Sequence, residues 1–241
     1  MDIGKSFTFI TEDEKWLEKL GLGALISAVP VLNFAWTGFM LNVMRNVSED
    51  VAKPLPDWSD LGDKFIKGLV VTLAGLIYAL PAILAGCLLS GLAFVPLFVV
   101  TSGQGEQGAN PEMAIGTTAL LIVMGCCIGL YGLLLSFIFP AVMIHYSRQE
   151  TFGSCFQFSQ IMPLVTANLS AYVTAWAVSI AASFVVGLVV GAAGMLVVLI
   201  PCVGWLVGWA LGAVASAYLG AVYAHLFGQV GANPVLDLSQ L

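Results

Sequence analysis

TFGSCFQFSQIMPLVTANLSAYVTAWAVSIAASFVVGLVVGAAGMLVVLIPCVGWLVGWALGAVASAYLGAVYAHLFGQVGANPVL, residues 151–236, contains no Asp, Glu, Lys or Arg. A soluble domain needs charge on its outer surface, and a stretch this long would expose some of it. Uncharged apolar runs beyond about eighteen residues read as helices that cross a bilayer. Two more such runs precede it, 68–105 and 113–147. The expectation is an all-α fold, a polytopic transmembrane helical bundle with four full spans in two hairpins. Composition agrees: 59% of the chain is hydrophobic and 9% charged, against about 25% charged in average soluble chains. The net charge of −6 comes from short hydrophilic segments. No basic patch is present, so no nucleic-acid partner is expected.

The basic residues give the orientation. They are Lys5, Lys15, Lys19, Arg45, Lys53, Lys64, Lys67 and Arg148. The loop 101–112 has none and carries Glu106 and Glu112. The positive-inside rule then puts 46–67 and 148–160 in the cytoplasm and 101–112 outside. A second spanning hairpin starts near Pro163, turns outside between Gly191 and Gly204, and ends inside near Gly228. The expected location is the cytoplasmic membrane, with both termini cytoplasmic. The first twenty residues carry Asp2, Lys5, Glu12, Asp13, Glu14, Lys15, Glu18 and Lys19, too polar for the apolar core of a signal peptide. Insertion is therefore expected to use the mature helices.

The apolar stretch 21–43 breaks this pattern, because one simple span would put Lys5, Lys15 and Lys19 outside. Pro30 interrupts it, and Asn33 follows as a candidate N-cap. The two arms, 21–29 and 34–46, reach about 14 and 20 Å at 1.5 Å per residue, short of a hydrocarbon core of about 30 Å. The reading is a re-entrant hairpin with both ends cytoplasmic; one kinked span is the alternative. One membrane domain, 1–241, thus divides into an interfacial amphipathic segment 1–20, the hairpin 21–46, a spanning hairpin with lead-in helix 57–147, a second one 151–228, and a cytoplasmic tail 229–241.

The polar segments resemble one another. Ile3-Gly4-Lys5-Ser6-Phe7, Leu61-Gly62-Asp63-Lys64-Phe65 and Phe152-Gly153-Ser154-Cys155-Phe156 share apolar-Gly-x-x-Phe, and each precedes an apolar run. Residues 141–149 and 221–229 both read AVxxHxxxQ, which places His145 and His225 equivalently, with Arg45 in a similar position of a first copy. Three units in one orientation argue against an inverted-repeat transporter. Thr11 and Glu14 fit a capping box, opening an amphipathic helix with Trp16, Leu17 and Leu20 on its apolar face. Residues 57–67 repeat the idea with Trp58, Leu61, Phe65 and Ile66. Residues 51–56, with Pro54 and Pro56, form a short stiff connector. Trp16 and Trp58 suit the inner interface and Trp205 the outer one.

Gly204, Gly208, Gly212, Ser216, Gly220, Ala224 and Gly228 recur at every fourth position, and Gly125/Gly129 and Gly187/Gly191 add GxxxG pairs. Such stripes let helix backbones approach closely in lipid, within the chain or between copies. His145, His225 and Asn168 are the polar site candidates. Two imidazoles without nearby thiols or carboxylates make a poor metal set, so interfacial or hydrogen-bonding roles are expected. Asn33 reads as the cap of the hairpin's second arm and Asn168 as a bond to another helix. Asn33, Asn168, Trp36, Trp176 and the tyrosines could line a pocket for a neutral solute. Five cysteines, Cys87, Cys126, Cys127, Cys155 and Cys202, show no metal-ligand spacing; Cys155, next to the membrane, could be acylated. No carboxylate or base is expected inside a span, which argues against proton relays and ion-coupled pumps. No GxSxG elbow, Walker A loop or dinucleotide fingerprint is present. No catalytic residue, metal or cofactor is expected.

MDIGKSFTFITEDEKWLEKL at the start, AVPVLNF at the break, LPDWSDLGDKFIKGL at 55–69 and HLFGQ near the end together resemble a membrane-protein family of archaea and bacteria, domain of unknown function 4013. The resemblance covers nearly the whole chain. It implies a polytopic membrane protein without an established activity, and carries no catalytic residues over. Two functions fit the residues: an accessory or scaffold subunit, or bilayer-organising protein, whose partners are the lipid bilayer and other membrane subunits or itself; or a transporter or channel for a small neutral or lipidic solute. The helix breaks expected at Pro30, Pro81 and Pro201 motivate the second. A lipid-headgroup enzyme would need His145, His225 and an acid to converge.

Overall fold

The computed structural model describes residues 1–101, 111–197, 200 and 203–232, with side chains at all of these except 92–101, 111–114 and 117. Most of the loop 101–112, Pro201, Cys202 and the tail beyond Ala232 lie outside the described residues. Among those described, eight helices and no strand occur: α1 (Ile3–Thr8), α2 (Trp16–Ala28), α3 (Asn33–Ser48), α4 (Leu61–Thr101), α5 (Pro111–Gln149), α6 (Phe158–Thr166), α7 (Leu169–Val197) and α8 (Gly204–Gly231). Tight 3-10 turns occupy Phe9–Glu12 and Phe152–Phe156.

Four helical stretches are long and apolar enough to cross a membrane: Leu61–Gly91, Thr118–Gln149, Leu169–Val197 and Gly204–Gly231. The shortest has 28 residues, about 42 Å at 1.5 Å per residue. Each therefore outreaches a hydrocarbon core of about 30 Å and extends into the headgroup layer. Their most apolar windows are between 0% and 17% buried within the chain, so apolar side chains cover their outer surfaces, as lipid requires.

The chain forms two compact units, residues 1–74 with 140–241, and residues 75–139. In the second, Tyr131 donates its hydroxyl to the Tyr78 carbonyl at 2.7 Å, and Tyr78 meets Phe139 edge-on. The first holds the large buried side chains: Phe9 and Ile10, Phe39 and Met44 of α3, Ile144 of α5, Tyr172 of α7, and Leu226 and Phe227 of α8. Here α3 meets α4 backbone to backbone. A Cβ on Gly38 would fall on the Lys64 carbonyl, and one on Gly68 on the Phe34 carbonyl. Lipid tails are as apolar as leucine, so such close van der Waals approach is what holds helices together there.

The hairpin break lies where proline puts it: α2 ends at Ala28 and α3 begins at Asn33. The arms are 13 and 16 residues long, about 20 and 24 Å. Their outer ends meet. Lys53 pairs with Glu14 at 3.4 Å, and Trp58 donates its indole N–H to the Lys19 carbonyl at 2.9 Å.

Several local expectations are corrected. Leu32, in helical conformation, occupies the cap position of α3, and Asn33 makes no side-chain cap. Asn168 does: its Oδ1 accepts the Ala171 N–H at 3.2 Å and so caps α7. Thr11 forms no capping box, because its hydroxyl turns back to the Thr8 carbonyl inside the 3-10 turn; Asp13 instead accepts the Lys15 N–H. The lead-in helices are not separate elements. α2 runs on through Gly21, and α4 continues from Leu61 into its span. The buried face at the start of α4 carries Lys64, 3% exposed, while Leu61 and Ile66 point outward. Trp58 stacks inward on Phe39, ring centroids 4.7 Å apart.

Pro81 does not break a helix either; α4 passes through it. A proline inside a helix leaves backbone groups near it unpaired, and lipid offers them nothing. Tyrosines bond backbone groups close to each proline. The Tyr131 hydroxyl bonds the Tyr78 carbonyl, three residues before Pro81, and the Tyr172 hydroxyl accepts the Ala141 N–H next to Pro140 at 3.2 Å.

Candidate functional site

Three clusters of polar groups sit in the first unit. The first joins the chain's beginning to its last helix. Asp2 caps α1 by accepting the Lys5 N–H at 2.9 Å. Gln229 of α8 then grips the Asp2 backbone from both sides: its Oε1 accepts the Asp2 N–H at 2.6 Å and its Nε2 reaches the Asp2 carbonyl at 2.9 Å. The same Nε2 lies 3.0 Å from His225 Nδ1 and 2.9 Å from Ser6 Oγ, and Ser6 Oγ is 2.9 Å from His225 Nδ1. Phe9 stacks on the His225 ring, centroids 4.2 Å apart. Since the Asp2 N–H fixes which end of Gln229 is oxygen, donors face Nδ1 and the imidazole proton belongs on Nε2. Serine and imidazole are at nucleophile–base distance, but Ser6 is fully buried.

His145 sits in the equivalent position and is used similarly. It is fully buried, and its Nε2 meets Gln157 Oε1, just beyond the third lead-in, at 3.0 Å; its Nδ1 is buried without a hydrogen-bond partner. The two histidines thus bind separate lead-in segments. Cys155, in the 3-10 turn that follows α5, is fully buried, and burial pushes its thiol up to about 11. A thiol so placed is neither accessible nor nucleophilic, which removes the basis for acylation there.

The second cluster centres on Lys19. Its ammonium has three acceptors: Asp13 Oδ2 at 2.9 Å, the Leu55 carbonyl at 2.8 Å and Asp57 Oδ1 at 3.0 Å. Three N–H donors are matched by three oxygens. Burial alone would lower the Lys19 pKa, yet the hydrogen bonds to Asp13 and Asp57 win and raise it; burial would raise that of Asp13, and the bonds from Lys19 and the Lys15 N–H lower it. A third cluster gathers Arg45, Glu49, Glu150 and Lys67, with Glu150 accepting Arg45 at 2.8 Å and Lys67 at 2.7 Å. Asp50 and Glu150, one hundred residues apart, end α3 and α5 with φ of 54° and 52°, a left-handed stop that favours glycine. Their equivalence supports the repeat.

The remaining feature is a groove of about 710 Å³ between α3, α7 and α8. Asn33, Trp36 and Met40 form one wall; Ser183, Gly187 and Gly191 a second; Gly212, Ser216, Gly220 and Tyr223 a third. No Asp, Glu, Lys, Arg or His lines it. This is where part of the small-residue pattern goes. At Gly187, Gly191 and Gly212 a Cβ would meet nothing within 4 Å, and the same holds for Gly125, Gly129 and Gly208. Gly220 touches Trp36 and Met40, and Gly228 touches Val47 and the Met44 carbonyl. Gly204 is buried and Ser216 exposed. The tightest glycines, Gly38 and Gly68, belong to no GxxxG pair; their spacing across two helices leaves no local signal. Trp16 and Trp205 are 36% and 65% exposed, each in the first turn of its helix. Asn168 lies apart from the groove.

Four membrane-length apolar helices, with a polar layer at one end of the first unit, define a multi-pass α-helical membrane protein. The chain belongs to the family described as protein of unknown function DUF4013, whose model matches residues 22–195. No curated protein and no solved structure matches it.

Proposed function

We propose that the chain is a non-enzymatic component of the cytoplasmic membrane, an accessory or scaffold subunit or a bilayer organiser, with both termini in the cytoplasm. The groove between α3, α7 and α8 carries this reading. It is open to the side, along surfaces that lie in hydrocarbon, and uncharged throughout. A pump or proton relay would place carboxylates or bases along such a path. The meeting of the two outer ends of α2 and α3 supports a re-entrant hairpin, since neither arm is long enough to span.

The alternative, passage of a small neutral or lipidic solute, draws on the polar groups of Asn33, Trp36, Ser216 and Tyr223 in the same groove. Purified protein reconstituted into vesicles loaded with glycerol or urea distinguishes the two. The scaffold reading expects retention equal to protein-free vesicles, and protein-dependent efflux overturns it. Mild-detergent purification should meanwhile retain defined membrane constituents.

A further inference from the structure

Trp36 is 3% exposed, and its indole N–H has no hydrogen-bond partner among the described residues. It points into the groove: a Cβ on Gly220, in the facing wall, would lie 3.0 Å from Trp36 Nε1. An unpaired N–H facing lipid is costly unless an acceptor meets it. An acceptor from outside the chain is therefore called for. We propose that the groove is a lipid-binding site that takes one acyl chain of a bilayer lipid, with its ester carbonyl on Trp36 Nε1.

The level of Trp36 fits that carbonyl. Its ring lies 6.3 Å from that of Trp58, whose own N–H is bonded to Lys19 in the charged layer. A ring this near a residue of the charged layer lies close to the interfacial zone, where indoles concentrate and lipid esters lie. From there the groove follows α8 away from the charged layer, from Gly220 to Gly212, about 12 Å. Along that path it is walled by Gly187, Gly191 and Gly212, whose missing side chains leave the space open. A transmembrane helix of a second copy would fill this space less well. Its backbone carbonyls are already bonded within the helix, and Trp36 would stay unpaired. The lining has no cation to hold a phosphate, so recognition falls on the chain and the ester, not the headgroup.

The proposal rests on the chain being a membrane component, and is tested separately from whether it passes solutes. The full chain, purified in detergent, is titrated with dipalmitoyl phosphatidylglycerol and with its dihexadecyl ether analogue, which has no carbonyl, and binding is read by native mass spectrometry. The ester lipid should bind about tenfold more tightly, as one hydrogen bond out of water implies. Trp36→Phe keeps the aromatic stack but deletes the donor, and should bring the ester lipid down to the ether's affinity. Gly212→Leu fills open space and should weaken both lipids. Equal binding of ester and ether by the native chain overturns the proposal. So does an ester preference that survives Trp36→Phe, or lipid binding indifferent to Gly212→Leu. A dimer that Gly212→Leu splits and that binds neither lipid overturns it in favour of a second copy. Solute efflux from vesicles together with an intact ester preference would sink the scaffold reading and leave this one standing.

Discussion

Glycine at 38 and 68 is the narrowest requirement in this chain. Each faces a backbone carbonyl of the other helix, and backbone cannot rotate aside as a side chain can. Gly38→Ala and Gly68→Ala should each cost about 3 kcal/mol or more, seen as loss of the monodisperse peak after mild heating in detergent. Gly125→Ala, with nothing within 4 Å, should shift the midpoint little. The sequence displays many glycines, and their stripes are legible; which of them touch is not, because contact depends on how two helices cross. Lys19 makes a second residue-scale prediction. Its pKa is raised, so its share of stability is complete below the ordinary lysine value and lost as pH climbs through the folded one. Asp13 is lowered, so its share is complete above the ordinary aspartate value and lost as pH falls through the folded one. The thermal midpoint should hold level between about pH 5 and 9 and drop on both sides. Lys19→Met should cost about 3 kcal/mol and flatten the acid limb, since Asp13 then loses the cation that lowers its pKa.

At the scale of elements, apolar length and proline foretell the spans and the break between α2 and α3. What they miss is local competition. Asn33 has the residue type of a cap, but the turn through Val29–Leu32 already donates the Asn33 N–H to the Val29 carbonyl at 2.9 Å. Pro81 and Pro140 stay within helices, and tyrosines from elsewhere in the fold bond the backbone near each, contacts no local window reveals. Tyr131→Phe and Tyr172→Phe should each cost about 1 kcal/mol, readable as a lower melting midpoint in detergent. The hairpin makes a further element-scale prediction. In a background without native cysteines, Glu12→Cys and Ser59→Cys should react with an impermeant maleimide from the same face of sealed vesicles. Opposite-face reaction would mean one kinked span.

Across the whole molecule, buried side chains gather in one polar-edged layer, while the spans keep bare apolar flanks. The repeat makes sense of that layer. Ser6 from the first lead-in meets His225 at the close of the third unit, Trp58 before the second packs on Phe39 in the first, and Gln157 beyond the third meets His145 in the second. Each lead-in region closes on the unit before it, with the first closing on the last. The matched motifs are legible in the sequence; their pairing is not, because the residues that join are far apart in it. Gln229→Ala should release α1, costing about 1–2 kcal/mol, and make the amides of residues 3–8 exchange hydrogen sooner than those of α3.

The bond between Asp2 and Gln229 spans 227 positions, and this separation has a consequence in time. A ribosome delivers α1 first and α8 last, so Ser6 and Phe9 must wait through the insertion of every span before their partner exists. Until then α1 is available to chaperones and proteases, and its docking marks the moment at which the polypeptide has been threaded as far as α8.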